Sequence, residues 1–109
     1  MALYIKNLYV GQLTNISQST LYTVPANRAC IVKNMRFVNT DTTARTVNAY
    51  YKPASGTARL ITPSNMSLAS GAVAIEDNEV TLAAGDLILG DASVANKIDC
   101  VISGIERDA

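Results

Sequence analysis

The sequence predicts an all-β fold, a single antiparallel β-sandwich of about eight strands with jelly-roll or immunoglobulin-like organisation. Short runs rich in β-branched residues recur along the chain, with Gly, Pro, Asn or Asp between them. No long segment combines helical spacing of apolar residues with capping residues. The 109 residues suffice for one hydrophobic core and are too few for two.

The clearest strand pattern lies in two neighbouring segments. Residues 28–39 are rich in β-branched and aromatic types, and their polar members interrupt any helical apolar stripe. Beyond a turn at 39–43, residues 44–52 alternate between two faces. One of those faces carries Arg45, Val47, Ala49 and Tyr51. We predict that 28–39 and 44–52 form one long β-hairpin.

Shorter apolar runs predict the remaining strands. Upstream, these are Leu3–Val10 and Thr20–Val24, joined by a polar stretch. Downstream, strands are expected at 57–62, 72–76, 79–82 and 87–89, with a loop at 64–71. The last strand, 96–106, alternates Ile98, Cys100 and Ile102 with Asp99, Val101 and Ser103. The chain is therefore divided into an N-terminal strand or arm segment, 1–19, and a β-sandwich domain, 20–109.

Composition and charge exclude several function classes. Nine Lys and Arg balance nine Asp and Glu, so the basic footprint of a nucleic-acid-binding protein is missing. The chain has no His, which removes every catalytic or metal-binding scheme that uses imidazole. No apolar run approaches the ~18 residues of a membrane span, and residues 1–6 lack a secretory signal pattern. We therefore expect an intracellular, non-catalytic protein with no cofactor, no metal, no nucleic acid and no membrane partner.

Two smaller features have plain structural explanations. Cys30 and Cys100 each lie in an apolar run, which predicts two reduced, buried thiols. A disulfide between them requires that their strands pair and that their Cα atoms lie within ~7 Å. The acidic cluster of Glu76, Asp77 and Glu79 lacks the ligand spacing of a calcium loop and is interpreted as a solvated turn.

The tyrosines provide the candidate contact residues. Tyr accounts for five of the six aromatic residues, and it serves either in a core or at an interface. Tyr50 and Tyr51 point to opposite faces of their strand, so one of them is expected to be exposed. The segment Leu3–Val10 is expected to serve as an arm or edge strand that pairs with a neighbour. The predicted interface comprises Leu3, Tyr4, Ile5, Leu8, Tyr9 and Tyr50.

Four segments carry a resemblance to a known group of proteins. They are LYTVPANR at 21–28, IVKNMRFVNT at 31–40, LAAGDLI at 82–88 and VISGIE at 101–106. Over residues 20–106 the chain resembles small virion structural proteins of tailed bacteriophages, which occur as capsid decoration (cement) proteins and as neck or tail subunits. The resemblance implies a β-sandwich and carries no catalytic residues over.

The function that this resemblance implies is capsid decoration. Such a protein binds the outer shell and bridges major capsid subunits, so the expected partners are the major capsid protein and further copies of this chain, with a trimer favoured. The expected location is the capsid surface of a virion assembled in the bacterial cytoplasm. The alternative is a neck or tail subunit, or a tail-appendage module that binds a receptor or carbohydrate.

Overall fold

The computed structural model describes residues 2–108, which form ten β-strands and no helix. The strands are β1 (Leu3–Gln12), β2 (Ser19–Thr23), β3 (Arg28–Asn39), β4 (Arg45–Lys52), β5 (Arg59–Leu60), β6 (Met66–Leu68), β7 (Val73–Glu76), β8 (Val80–Leu82), β9 (Leu87–Ala92) and β10 (Ile98–Asp108). Within this part of the chain there is accordingly no helix that would cross a membrane.

Two antiparallel five-stranded sheets pack against each other. In the first sheet the order is β1-β10-β3, and β7 and β8 follow one another along the far side of β3. In the second sheet the order is β2-β9-β4, and β5 and β6 lie along the far side of β4. The predicted all-β sandwich is thereby confirmed, with ten strands in residues 2–108 rather than about eight.

Alternate side chains of the central strands form the core between the sheets. On β10, Ile98, Cys100 and Ile102 are completely buried, as the alternation of the sequence predicts. The first sheet adds Val32, Met35 and Phe37 from β3, and the second adds Val47 and Ala49 from β4. Phe37 is the largest of these side chains, so most of the core is built from small aliphatic groups.

The predicted hairpin between residues 28–39 and 44–52 is wrong, because β3 and β4 lie in different sheets. The chain crosses between the sheets directly after Asn39, whose side chain is completely buried. The Asn39 amide nitrogen donates to the carbonyls of Thr43 (2.9 Å) and Leu68 (3.0 Å), and its oxygen accepts from the backbone N–H of Asp41 (2.9 Å). This buried amide stabilises a crossing where the turn composition alone predicts a hairpin.

The largest other differences from the predicted strands lie in three places. The expected strand at 57–62 shrinks to β5, and the expected loop at 64–71 contains β6. Strand β9 continues through Gly90 and Asp91, which were expected to end it. Gly90 pairs with Ser19 on β2 and Ala49 on β4, and a Cβ there would lie 2.7 Å from a methyl carbon of Leu21, so the close packing at this position requires glycine. Asp91 stays because its carboxylate accepts hydrogen bonds from neighbouring side chains.

The two cysteines are free and buried, as predicted. Their strands do pair, but Cys30 lies opposite Glu106 and Cys100 lies opposite Phe37. Phe37 is seven positions from Cys30 along β3, which at ~3.3 Å per residue separates the two thiols by roughly 23 Å. Burial raises the pKa of the Cys100 thiol to about 12, so it stays protonated.

Gly104 tests how tightly β10 packs on β3. A Cβ at this position would lie 2.4 Å from the carbonyl oxygen of Ile31 and 2.9 Å from a methyl carbon of Leu8. We expect Gly104→Ala to lower the free energy of unfolding by about 1–3 kcal/mol, measured by chemical denaturation, because backbone must move to admit the methyl group. Gly11→Ala is the control, since its Cβ meets the flexible Tyr9 ring at 3.3 Å. Equal stability of the two variants would contradict this packing.

Candidate interaction face

An apolar row crosses the outer face of the first sheet. Ile5 on β1 lies opposite Ile105 on β10, Ile105 lies opposite Ile31 on β3, and Ile31 lies opposite Thr81 on β8. Ile5 is 88% exposed and Ile31 is 36% exposed. Directly opposed β-branched side chains pack against one another across a sheet, so the row forms a continuous apolar ridge.

A second apolar row lies nearer the other end of the same face. Val10 on β1 is opposite Val101 on β10, which is followed by Arg36 on β3 and Ile75 on β7. Val10 is 64% exposed. We use the name outer apolar face for the apolar side chains of the two rows, which also contain Arg36 and Thr81, and for the apolar side chains beside them: Leu3, Ile5, Val10, Ile31, Val73, Ile75, Val101 and Ile105. Exposed apolar side chains in this number on one face are typical of an interaction surface.

Polar side chains separate the two rows. Asn7, Ser103 and Lys33 lie between them, and the Ser103 hydroxyl is 3.3 Å from the side-chain oxygen of Asn7. The rows are four residues apart on β10, from Val101 to Ile105, which corresponds to roughly 13 Å. The outer apolar face therefore offers two distinct contact areas.

Beside the first row the surface is concave. A depression of about 340 Å³ is lined by residues of β1, β3, β8 and β10, among them Leu3, Ile31, Thr81, Ile105 and Arg107. Its size and lining suit one or two aliphatic or aromatic side chains of a partner.

The outer face of the second sheet is polar by comparison. The Asp91 carboxylate accepts hydrogen bonds from the Asn48 side chain (2.9 Å) and the Tyr50 hydroxyl (2.8 Å), and Asn48 also donates to Asn65 (3.0 Å). Burial and the Asp91 carboxylate both raise the pKa of Tyr50, which keeps the phenol protonated and donating. These groups satisfy one another, so this face has less need of a partner.

The six predicted interface residues lie on three different surfaces of the structure. Leu3 and Ile5 lie on the outer apolar face. Tyr4, Leu8 and Tyr9 are on the inner side of β1, where Leu8 and Tyr9 pack against the core and the Arg28 guanidinium lies 4.0 Å from the Tyr4 ring. Tyr50 belongs to the other sheet. The proposed role of these residues in an interface stays a prediction, but the six do not form one surface.

Sequence reasoning missed most of the outer apolar face. Val101 was assigned to the polar side of the last strand, and Ile31, Val73, Ile75 and Ile105 were not singled out. The alternation along β10 would have identified Val101 and Ile105 as outward residues. Residues of odd number on this strand point away from the core that Ile98, Cys100 and Ile102 enter.

A buried ionic cluster holds β1 in place at one end of the first sheet. Glu106 is 1% exposed, and its carboxylate accepts hydrogen bonds from the Tyr22 hydroxyl, from Arg28 (3.0 Å) and from Lys6 (3.4 Å). Burial alone raises the pKa of Glu106, but the Tyr22 hydrogen bond and the Lys6 and Arg28 charges outweigh it and lower that pKa below its ordinary value. Sequence reasoning missed Glu106, although it continues the inward alternation of Ile98, Cys100 and Ile102.

The cluster also keeps the Lys6 charge on the inner side of β1, away from the outer face. Lys6 is the one charged residue in the sequence of β1, and its ammonium points to Glu106 on the inner side. Strand β1 therefore presents no charged side chain to a partner on the outer apolar face.

No family model matches the sequence, and a search of curated proteins finds no relative. Solved structures do share the fold, and these neighbours are viral capsid proteins of infectious bursal disease virus. A chain of the viral particle has a TM-score of 0.55 at 10% identity over 98% of this chain and 31% of that chain. The VP2 subviral particle of the same virus has a TM-score of 0.54 at 12% identity, over 96% of this chain and 31% of that chain. At such identities the likeness shows the fold alone. The present chain spans about a third of the length of the capsid proteins it matches.

Glu106→Gln tests the buried cluster. We expect this variant to lower the free energy of unfolding at pH 7 by about 1–3 kcal/mol, because charge-assisted hydrogen bonds to three strands are weakened. The lowered pKa of Glu106 adds stability above the ordinary carboxyl pKa of ~4.3. That contribution is lost as the pH falls through the lowered pKa, so the two proteins should converge in acid.

The control is Glu79→Gln, which breaks the exposed ion pair with Lys33 on the same sheet. Its free energy of unfolding should change by less than about 0.5 kcal/mol. Urea titrations of the three proteins between pH 7 and pH 3 provide the measurement. A gap between wild type and Glu106→Gln that stays constant over this range would refute the linkage.

Proposed function

We propose that the protein is a virion structural protein that decorates a capsid, with the outer apolar face as its docking surface. The observation that carries the proposal is the pair of exposed apolar rows on a sheet whose core is already complete. Apolar area that a fold does not need for its own core is the main source of affinity in protein association. The sandwich that this chain shares with capsid proteins supports a place in a virion.

The two separate apolar rows of the face would allow the protein to bridge two capsid subunits. Because a polar belt around Ser103 separates the row of Ile5 from the row of Val10, each row is suited to a different neighbour. A decoration protein that contacts two major capsid subunits in this way would bury ~1,000–2,000 Å² in total. Repetition over equivalent sites of a shell adds strength beyond that of one contact.

Attachment through this face should depend mainly on apolar burial, with Arg36 as the charged side chain within the second row. The chain carries no net formal charge, and β1 directs its single Lys inward to Glu106. Apolar burial is not screened by salt, whereas contacts between exposed charges weaken as ionic strength rises. We infer that the protein stays attached to its shell at high ionic strength, and that no catalytic step takes part in its role.

The copy number in purified particles tests the proposal directly. Quantitative mass spectrometry of virions from the encoding virus should find copies on the order of hundreds, because a decorated shell repeats its sites by symmetry. A ratio of at most a few dozen would instead place the protein in a neck or tail. Absence from purified particles would contradict any structural role in the virion.

Ile31→Lys tests the face itself. The substitution sets a charge in the middle of the first apolar row, so occupancy on particles that lack the native protein should fall at least about tenfold when recombinant protein is added. Ile16→Lys is the matched control, because Ile16 is 71% exposed and lies in the loop between β1 and β2, outside the outer apolar face. Circular dichroism confirms that both variants are folded. Equal occupancy of the two would rule the face out as the docking surface.

A further inference from the structure

The four sheet edges of residues 2–108 are not equally protected. The far edge of the first sheet consists of two short strands, β7 and β8, with Glu76, Asp77 and Glu79 at their junction. The edges of the second sheet are β2, of five residues, and β5 and β6, of two and three residues. Short strands and charges are the usual protection against pairing with another chain. Strand β1 differs, with ten residues, no Pro, and Lys6 as its one charge.

The direction of the backbone groups on β1 follows from its ladder with β10. The N–H of Asp108 donates to the carbonyl of Ala2 (3.2 Å), which is one of the two backbone bonds of a hydrogen-bonded pair, and the Ala2 N–H donates to the Asp108 carboxylate (3.3 Å). Hydrogen-bonded and non-bonded pairs alternate in an antiparallel ladder, which gives Tyr4 and Lys6 the next bonded positions. The residues whose N–H and C=O groups point away from β10, toward the free edge, are then Leu3, Ile5 and Asn7.

We propose that the segment Leu3–Asn7 pairs antiparallel with the same segment of a second copy of this chain, about a twofold axis at Ile5. In this register Ile5 faces Ile5 of the second copy, and Leu3 faces Asn7. Each of the three residues then both donates and accepts one backbone hydrogen bond, so three donors on each of two copies make six bonds. The ladder ends at Asn7 because a β-bulge follows it.

The side chains of the segment suit a second copy. On the outer side, the row of Ile5, Ile105 and Ile31 continues across the axis into the same row of the second copy. On the inner side, Tyr4 lies opposite Lys6 in a non-hydrogen-bonded pair, and both side chains keep their own partners, the Arg28 guanidinium and the Glu106 carboxylate. A twofold contact requires such self-complementarity, with each member meeting a suitable partner in reversed order.

The contact also gives the outer apolar face a larger continuous area. Pairing at β1 would join two five-stranded sheets into one and place both sets of apolar rows on the same side. This inference does not rest on the proposed function, since a dimer joined at this edge would form in solution without any capsid.

Amide hydrogen exchange followed by NMR tests the pairing on the whole protein without any substitution. At low concentration the amides of Leu3, Ile5 and Asn7 should exchange quickly, while those of Tyr4 and Lys6 are protected by β10. Raising the concentration should protect the first three in step with dimer mass measured by light scattering. A protein that stays monomeric, becomes a trimer, or dimerises with these three amides still exchanging quickly overturns the proposal.

Two variants at Ile5 complete the test. Ile5→Pro removes one donor from each copy, so two hydrogen bonds are lost and the dimer dissociation constant should rise at least about tenfold. Ile5→Lys opposes two like charges at the axis and should act in the same direction. Ile16→Lys is the charge-matched control and should dimerise like the wild type. Unchanged dimerisation in a folded Ile5→Lys protein would also refute the twofold contact, whatever the outcome for Ile5→Pro.

Discussion

The first sheet depends on the alternation of side chains along β10. This strand lies between β1 and β3 and pairs with both along nearly its whole length. Its inward residues, Ile98 to Ile102, close the core, while Val101 and Ile105 point the other way. A central strand with apolar residues on both sides supplies a core and an exposed apolar surface at the same time. The candidate interaction face therefore shares its central strand with the core of the sandwich.

The ionic cluster at Glu106 helps to keep the inner side of the first sheet in the core and its outer side available for contact. Burying a carboxylate is costly unless opposite charges and hydrogen bonds compensate it, and here Lys6, Arg28 and Tyr22 do so. Their positions on β1, β3 and β2 mean that one carboxylate connects four strands across both sheets. The edge strand is thus fixed from its inner side, which leaves its outer side chains and its free backbone groups available for contact.

Much of the fold was predictable because the strands carry a strong period-two pattern. Residues 28–39 form β3 with the predicted bounds, and the inward face of β10 follows the alternation. The pairing of β3 was not predictable, because the buried Asn39 amide that directs the chain into the other sheet looks like an ordinary turn residue in the sequence. On β1, simple alternation places Tyr9 with Ile5, but the bulge after Asn7 reverses the faces and brings Val10 outward instead.

The two outer faces differ in polarity, and this difference determines which sheet a partner is expected to contact. On the second sheet, Asn48 and Asp91 are already buried, and the Asp91 carboxylate accepts hydrogen bonds from Asn48 and Tyr50, so these groups gain little from a partner. On the first sheet, apolar side chains such as Ile5 and Val10 are exposed to water, and covering them is favourable. A partner surface therefore gains more by meeting the first sheet than the second.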